Sequence, residues 1–144
     1  EKGIDVLSSE THGMAMRGGS VISHVKVGSF KSPIVRQGNA DVGLFLHSVN
    51  FPVHGRFMKS QGVSIVNSDY SGEYLYLDAT GLARETGALV VTNLVLLGFA
   101  SQKGVLFCEA VFLEDIIKKV SHPRHLELNL AGFKKGRENA GGVI

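Results

Sequence analysis

Two short apolar runs constrain the fold of this chain more than any other feature. Residues 42–46 and 63–67 have the length and composition of strands that are buried on both faces of a sheet. Residues 51–61 between them are predicted to form a helix that ends at Gly62, a common position for glycine after a helix. A strand, a helix and a second strand in this order form the crossover unit of a parallel sheet. The sequence therefore predicts an α/β fold, with a mostly parallel sheet flanked by helices.

The remaining segments extend this pattern without dividing the chain. Strands are predicted at residues 4–7, 20–27 and 73–78, and a helix at residues 79–86 that closes at Gly87. A last helix is predicted to begin near Pro123. Before it, apolar residues recur at the i, i+3, i+4, i+7 spacing that is typical of the buried face of a helix. Its members are Leu113, Ile116, Ile117 and Val120.

The size and composition indicate one domain with no nucleic-acid partner. A length of 144 residues suits a single domain, and we expect it to span residues 1–144. The formal net charge is only +2, whereas a nucleic-acid surface needs a concentrated basic patch. The longest apolar stretch, residues 88–100, is too short to cross a membrane. With no signal peptide visible, we expect a cytoplasmic location and no membrane partner.

The cysteine content limits the chemistry that the chain can perform alone. A single cysteine, Cys108, provides neither an internal disulfide nor the four thiolates of an iron–sulfur site. Cys108 lies in an apolar run, so we interpret it as a small buried residue.

The densest candidate site is the segment of residues 8–20, which follows the first predicted strand. Glycines free backbone N–H groups to form an anion-binding concavity, and an arginine supplies a planar cation for phosphate or carboxylate. The alternative is a tight connection in which the glycines only permit a turn and the arginine is solvated. The residues alone leave both interpretations open. The candidate binding residues are Thr11, His12, Arg17, Gly18, Gly19 and Ser20.

Other polar positions carry weaker signals. His122 and His125 have a metal-like spacing but lack a third ligand, which favours a capping or surface role. The same interpretation holds for His47 and His54. Asn67 follows a strand, where ligand loops occur in α/β sheets, but it is also an ordinary turn residue, and Asn50 is similar. No phosphate-binding loop, dinucleotide fingerprint or nucleophile elbow is present in the sequence. A self-contained enzyme is therefore poorly supported.

Residues 10–25 provide a resemblance to a known family. They read Glu-Thr-His-Gly-Met-Ala-Met-Arg-Gly-Gly-Ser-Val-Ile-Ser-His-Val. This string is similar to the gamma subunits or domains of the 2-oxoacid:ferredoxin oxidoreductases, which act on pyruvate, ketoisovalerate, 2-oxoglutarate or indolepyruvate. Segments at residues 33–42, 78–84, 93–98 and 129–136 resemble the same family in the same order.

The resemblance implies an accessory subunit of a multisubunit enzyme. That enzyme converts a 2-oxo acid, CoA and oxidised ferredoxin to acyl-CoA, CO2 and reduced ferredoxin. In the family, thiamine diphosphate and the iron–sulfur clusters lie in other subunits or domains of the complex, which includes catalytic alpha and beta subunits, so we expect this chain alone to hold no cofactor and to be inactive. The resemblance also implies that the gamma domain contacts these subunits and helps to bind CoA. Ferredoxin is then a partner of this chain only through the assembled complex. Arg17, Gly18, Gly19 and Ser20 are then the residues expected to contact an anionic ligand or to order the interface, with Glu10, Thr11 and His12 shaping the loop.

One departure and one alternative accompany this interpretation. The family usually opens with a glycine-rich strand-to-helix turn before the motif, which nothing here matches. Because the sequence starts at Glu1 without Met, we expect that this segment is missing from it. The alternative function is a non-catalytic α/β module that binds a phosphate-bearing ligand or a protein partner in another assembly.

Overall fold

The computed structural model describes residues 3–12 and 20–142, and for His12 the backbone alone. Within these residues, two strands form an antiparallel hairpin and three strands form a parallel sheet. The other regular elements are helices. Short 3-10 turns precede or follow several of the helices. The strands are β1 Val6–His12, β2 Val21–Val27, β3 Ala40–Phe45, β4 Met58–Asn67 and β5 Leu75–Leu77, and the helices are α1 Phe51–His54, α2 Ala79–Glu85, α3 Thr92–Gln102, α4 Ala110–Val120 and α5 Pro123–Glu138.

The parallel sheet has the strand order β3-β4-β5. Leu44 of β3 pairs with Ile65 of β4, and Ile65 pairs with Leu75 of β5. The central strand β4 has its last four residues buried, as expected for a strand enclosed on both faces. The predicted α/β class with a mostly parallel sheet flanked by helices is confirmed.

The core lies between this sheet and helices α2 and α3. Ile65 of the sheet is fully buried against the apolar residues of the two helices. Helix α3 contributes Val95, Leu96, Phe99 and Ala100, all without exposed surface. An apolar helix of this kind is typical of the interior of a domain.

Helices α3 and α5 cross with their backbones in contact at glycines. A methyl group at Gly98 of α3 would overlap the carbonyl oxygen of Phe133, and one at Gly136 of α5 would overlap the carbonyl oxygen of Val95. Since backbone atoms cannot rotate away as side chains do, only glycine permits this separation between the helix axes. Lys135 of α5 also pairs with Glu85 of α2 at 2.7 Å, and the hydrogen bond to that carboxylate raises the pKa of Lys135 above its ordinary value of 10.5.

The helix predicted at residues 51–61 is wrong beyond its first turn. Helix α1 ends at His54, a 3-10 turn follows, and β4 begins at Met58, which pairs with Ala40 of β3. Gly62 is therefore a strand residue and not a helix terminus. A Cβ atom at Gly62 would lie 2.8 Å from the carbonyl oxygen of Ala40, so this glycine permits the close approach at the irregular β3–β4 register.

The later helices agree with the sequence patterns, apart from one position. Gly87 has a φ of 86° directly after the cap of α2, as predicted for the residue that closes that helix. Ile117 is the buried centre of α4, but Val120 was predicted on the same buried face and is 75% exposed. Val120 is the last residue of α4, and the buried stripe ends one turn before the helix does.

Candidate functional site

The candidate segment of residues 8–20 lies on the β1–β2 hairpin. β1 continues through His12, so residues 8–12 are strand and not loop as the sequence suggested. Cross-strand pairing overrides the weak strand propensity of this serine-rich stretch: Ser9 pairs with His24, and Thr11 with Ile22. The two strands meet last at the pair of His12 and Val21.

The predicted anion-binding residues divide between the described and undescribed parts of the chain. Thr11 is exposed near the end of β1, and Ser20 is exposed directly before β2. His12 is the last residue of β1, and only its backbone is described. Arg17, Gly18 and Gly19 lie outside the described residues. The structure therefore brings Thr11, His12 and Ser20 to the same end of one hairpin, and the ligand role of the set stays a prediction.

The hairpin has two faces of different character. Because strand residues alternate between faces, Leu7, Ser9 and Thr11 share one face with Ile22, His24 and Lys26. All of these except Thr11 are half-buried. The opposite face carries the valines of both strands together with exposed serines and Glu10. These valines are Val6, Val21, Val25 and Val27.

His24 connects the inner face of the hairpin to the rest of the molecule. Its Nδ1 accepts a hydrogen bond of 2.9 Å from the backbone N–H of Val35. Its ring packs edge-on against Phe57 at a centroid distance of 5.4 Å. Sequence reasoning missed this role, although the alternation of β2 places His24 on the same face as Ile22.

A second polar position lies where the parallel strands end. The side-chain amide of Asn67 donates to the carbonyl oxygen of Leu46 at 2.9 Å and to the hydroxyl of Thr80 at 2.8 Å. Its side-chain oxygen accepts from the backbone N–H of Thr80 at 3.2 Å. Asn67 therefore joins the ends of β3 and β4 to the start of α2, which is the structural alternative to a ligand role.

The histidines considered as metal ligands have local structural roles. His122 accepts a hydrogen bond from the backbone N–H of Arg124 and caps α5, and His47 accepts one from Val49 before α1. Across residues 3–12 and 20–142, no group of three or more His, Cys, Asp or Glu residues is arranged to hold a metal ion. The capping interpretation is confirmed for His122 and His47. The ring nitrogens of His54 are buried and have no hydrogen-bond partner among the described residues.

Two further expectations concern burial and membranes. Cys108 is buried, as its apolar neighbours predicted. None of the helices in the described part of the chain is long and apolar enough to span a membrane.

Similarity to known proteins extends over nearly the whole chain. Residues 1–139 match the family model described as pyruvate ferredoxin/flavodoxin oxidoreductase. An indolepyruvate oxidoreductase subunit IorB from Archaeoglobus fulgidus is 26% identical, and the match covers 96% of this chain and 82% of that protein. The subunit of the same name from Thermococcus kodakarensis is 28% identical, with 93% and 80% covered.

Solved structures agree with these relatives. The gamma subunit of a keto/oxoacid ferredoxin oxidoreductase from Geobacter sulfurreducens superimposes with a TM-score of 0.73 and 25% identity, covering 96% of this chain and 81% of that one. Subunit PORC of a pyruvate oxidoreductase from Thermotoga maritima shares the fold, with a TM-score of 0.66 at 18% identity over 94% and 80% of the two chains. The chain belongs to the pyruvate ferredoxin/flavodoxin oxidoreductase family and resembles its gamma-type subunits.

Proposed function

We propose that this chain is the accessory gamma-type subunit of a CoA-dependent 2-oxoacid:ferredoxin oxidoreductase. The match of residues 1–139 to the family model carries the proposal. It is supported by the curated relatives, which are named as subunits of indolepyruvate oxidoreductases. We infer that indolepyruvate or a related 2-oxo acid is the substrate of the assembled enzyme, and that residues 1–144 act as one gamma-type domain.

The proposed division of labour follows from what the chain can and cannot supply. One cysteine cannot provide the four thiolates of an iron–sulfur cluster, so the clusters would belong to partner subunits. Thiamine diphosphate would also lie in those subunits, as the resemblance to the family implies. Electrons would leave the complex through those clusters to ferredoxin. This chain would contribute to subunit assembly and to the binding of CoA.

The proposed CoA contact is the end of the β1–β2 hairpin. Thr11 and Ser20 present exposed hydroxyl groups there, on either side of the segment that contains Arg17, Gly18 and Gly19. CoA carries phosphate groups, and a guanidinium together with glycine backbone N–H groups is suited to bind phosphate.

The identity of the enzyme can be tested with the native complex. A tag on this chain would be used to purify the complex from its source cells under anaerobic conditions. We expect a brown complex that reduces an artificial electron acceptor with a 2-oxo acid only when CoA is present. A panel of 2-oxo acids should give the highest kcat/KM for indolepyruvate. A colourless chain that purifies alone and is inactive would contradict the proposal and favour a binding module of another assembly.

The CoA contact has its own test in the same complex. Arg17→Ala should raise the KM for CoA by about 10–100-fold, because a hydrogen bond to a charged group contributes about 1.5–3 kcal/mol. The KM for the 2-oxo acid should stay within about twofold. Arg36→Ala removes an exposed arginine from the segment after the hairpin and serves as the matched control. An unchanged CoA KM and turnover in Arg17→Ala would exclude the contact.

A further inference from the structure

His24 lies midway along the hairpin whose end carries the proposed CoA contact. It pairs with Ser9 of β1, and the last pair of the hairpin is His12 with Val21. Three residues separate the two pairs along each strand (24 − 21 = 3 and 12 − 9 = 3), a distance of roughly 10 Å. An effect of His24 on a ligand at this end would therefore be transmitted along the two strands.

The side chain of His24 contacts two segments of the chain that follow the hairpin. Its Nδ1 accepts the 2.9 Å hydrogen bond from the backbone N–H of Val35, and its ring packs edge-on against Phe57. The hydrogen bond fixes the position of one ring atom and the aromatic contact fixes the tilt of the ring. Together they hold the middle of the hairpin in one orientation relative to these segments.

Two further contacts lie at the base of the hairpin, away from its proposed ligand end. The ammonium group of Lys26 lies 5.1 Å from the ring centroid of Phe30, and the backbone N–H of Gly28 donates to the carbonyl oxygen of Asp5 at 2.8 Å. Within the described residues, the hairpin pairs with no third strand and packs extensively against no other named element. His24 is thus a contact that supports the hairpin closer to its ligand end than these two do.

The hairpin would act as a lever if this support were removed. Over roughly 10 Å of strand, a rotation of about 6° about His24 moves the end of the hairpin by about 1 Å. Groups that bind a ligand have to be held within about 0.5 Å of the productive geometry. A side chain that contacts no ligand can therefore decide how well the end of the hairpin binds one.

We propose that His24 is a positioning residue for the CoA contact, an inference that rests on the proposed function. It would hold the end of the hairpin, with Thr11 and Ser20, in the orientation that binds the phosphates of CoA. The alternative is a role in stability alone, in which His24 supports the fold and no ligand depends on it.

The test compares variants of His24 in the native complex. His24→Ala should raise the KM for CoA by about tenfold, because the binding groups at the end of the hairpin are displaced. The kcat at saturating CoA and the KM for the 2-oxo acid should stay within about twofold. His125→Ala replaces an exposed histidine of α5 and should leave all three constants unchanged.

Two conservative variants separate the contacts of His24. His24→Asn retains a side-chain oxygen that can accept from the N–H of Val35, so it should return the KM for CoA to within about threefold of the unmodified complex. His24→Phe keeps a ring against Phe57 but cannot accept the hydrogen bond, so its KM should stay raised. This pair provides the same comparison if the alanine variant does not assemble.

Coupling to Arg17 shows whether His24 acts through the end of the hairpin. In a complex that already carries Arg17→Ala, His24→Ala should raise the KM for CoA by less than about twofold, because residues that act through one contact are not additive. A full tenfold rise in this background would mean that His24 acts elsewhere, and it would overturn the inference.

The remaining outcomes separate this inference from the function on which it rests. A KM for CoA within twofold of the unmodified value in His24→Ala would overturn the positioning role alone when Arg17→Ala raises that KM. An equal loss in kcat or in the KM for the 2-oxo acid would show a general role in stability and would also overturn it. If Arg17→Ala leaves the KM for CoA unchanged, the proposed CoA contact fails and this inference with it.

Discussion

Asn67 shows how a single amide organises the carboxyl ends of the parallel strands. Its side chain forms three hydrogen bonds, one to the backbone after β3 and two to Thr80 at the start of α2. Only 9% of the residue is exposed, so water would not readily replace these bonds. The position is typical of ligand contacts in α/β sheets, yet its hydrogen-bonding capacity is used within the fold.

Asn67→Ala should destabilise the chain by about 1–3 kcal/mol, because it leaves buried polar groups of its neighbours without partners. Urea denaturation of the isolated chain measures this change in the free energy of unfolding. Asn39→Ala removes an exposed amide that donates a hydrogen bond to the carbonyl oxygen of Gln37 and should change the stability by less than about 0.5 kcal/mol. Equal stability of the two variants would show that Asn67 does not hold the strand ends together.

At the level of elements, the crossing of α3 and α5 determines how the C-terminal helices meet the core. Gly98 and Gly136 allow backbone contact, and Gly132 faces the side chain of Val91. Each glycine weakens its own helix by about 1 kcal/mol relative to alanine. The close packing that they permit outweighs this cost, since Val95, Phe99 and Phe133 are buried at or beside the crossing.

Gly136→Ala tests this balance. An isolated helix would gain about 1 kcal/mol from alanine, but here the new methyl group would overlap the carbonyl oxygen of Val95. We expect a net loss of more than about 2 kcal/mol in the free energy of unfolding, measured by urea denaturation. Gly141→Ala adds a methyl group with no atom of the described residues within 4 Å and should be close to neutral. A stabilised Gly136→Ala chain would mean that the helices are farther apart than the structure has them.

Across the whole molecule, stability is not expected to be uniform. The parallel sheet and helices α2, α3 and α5 share one core. Within the described residues, the hairpin has few contacts with the other named elements, and His24 contacts Val35 and Phe57. Regions with few buried contacts open locally at a lower free energy than the core.

Hydrogen exchange of the isolated chain should resolve these two regions. Paired amides of β1 and β2 are expected to exchange at least about tenfold faster than those of β4. His24→Ala should accelerate exchange in the hairpin further and leave β4 unchanged, because it removes the hydrogen bond to Val35 and the contact with Phe57. The exposed His125 provides the control in His125→Ala. Exchange in the hairpin that is as slow as in β4 would contradict this description.

The sequence alone determined the features that depend on local pattern. The apolar runs of β3 and β4, the glycine that closes α2 and the start of α5 near Pro123 follow from strand periodicity, backbone freedom and the geometry of proline. The motif of residues 10–25 also indicated the family to which the chain belongs.

The tertiary structure decided the features that depend on distant residues. Met58 pairs with Ala40 and turns the predicted helix into strand, and the register of β1 with β2 gathers the valines on one face. The crossing of α3 and α5 also depends on distant residues. The requirement for glycine at position 136 arises only because the carbonyl oxygen of Val95, forty-one positions earlier (136 − 95 = 41), lies against it.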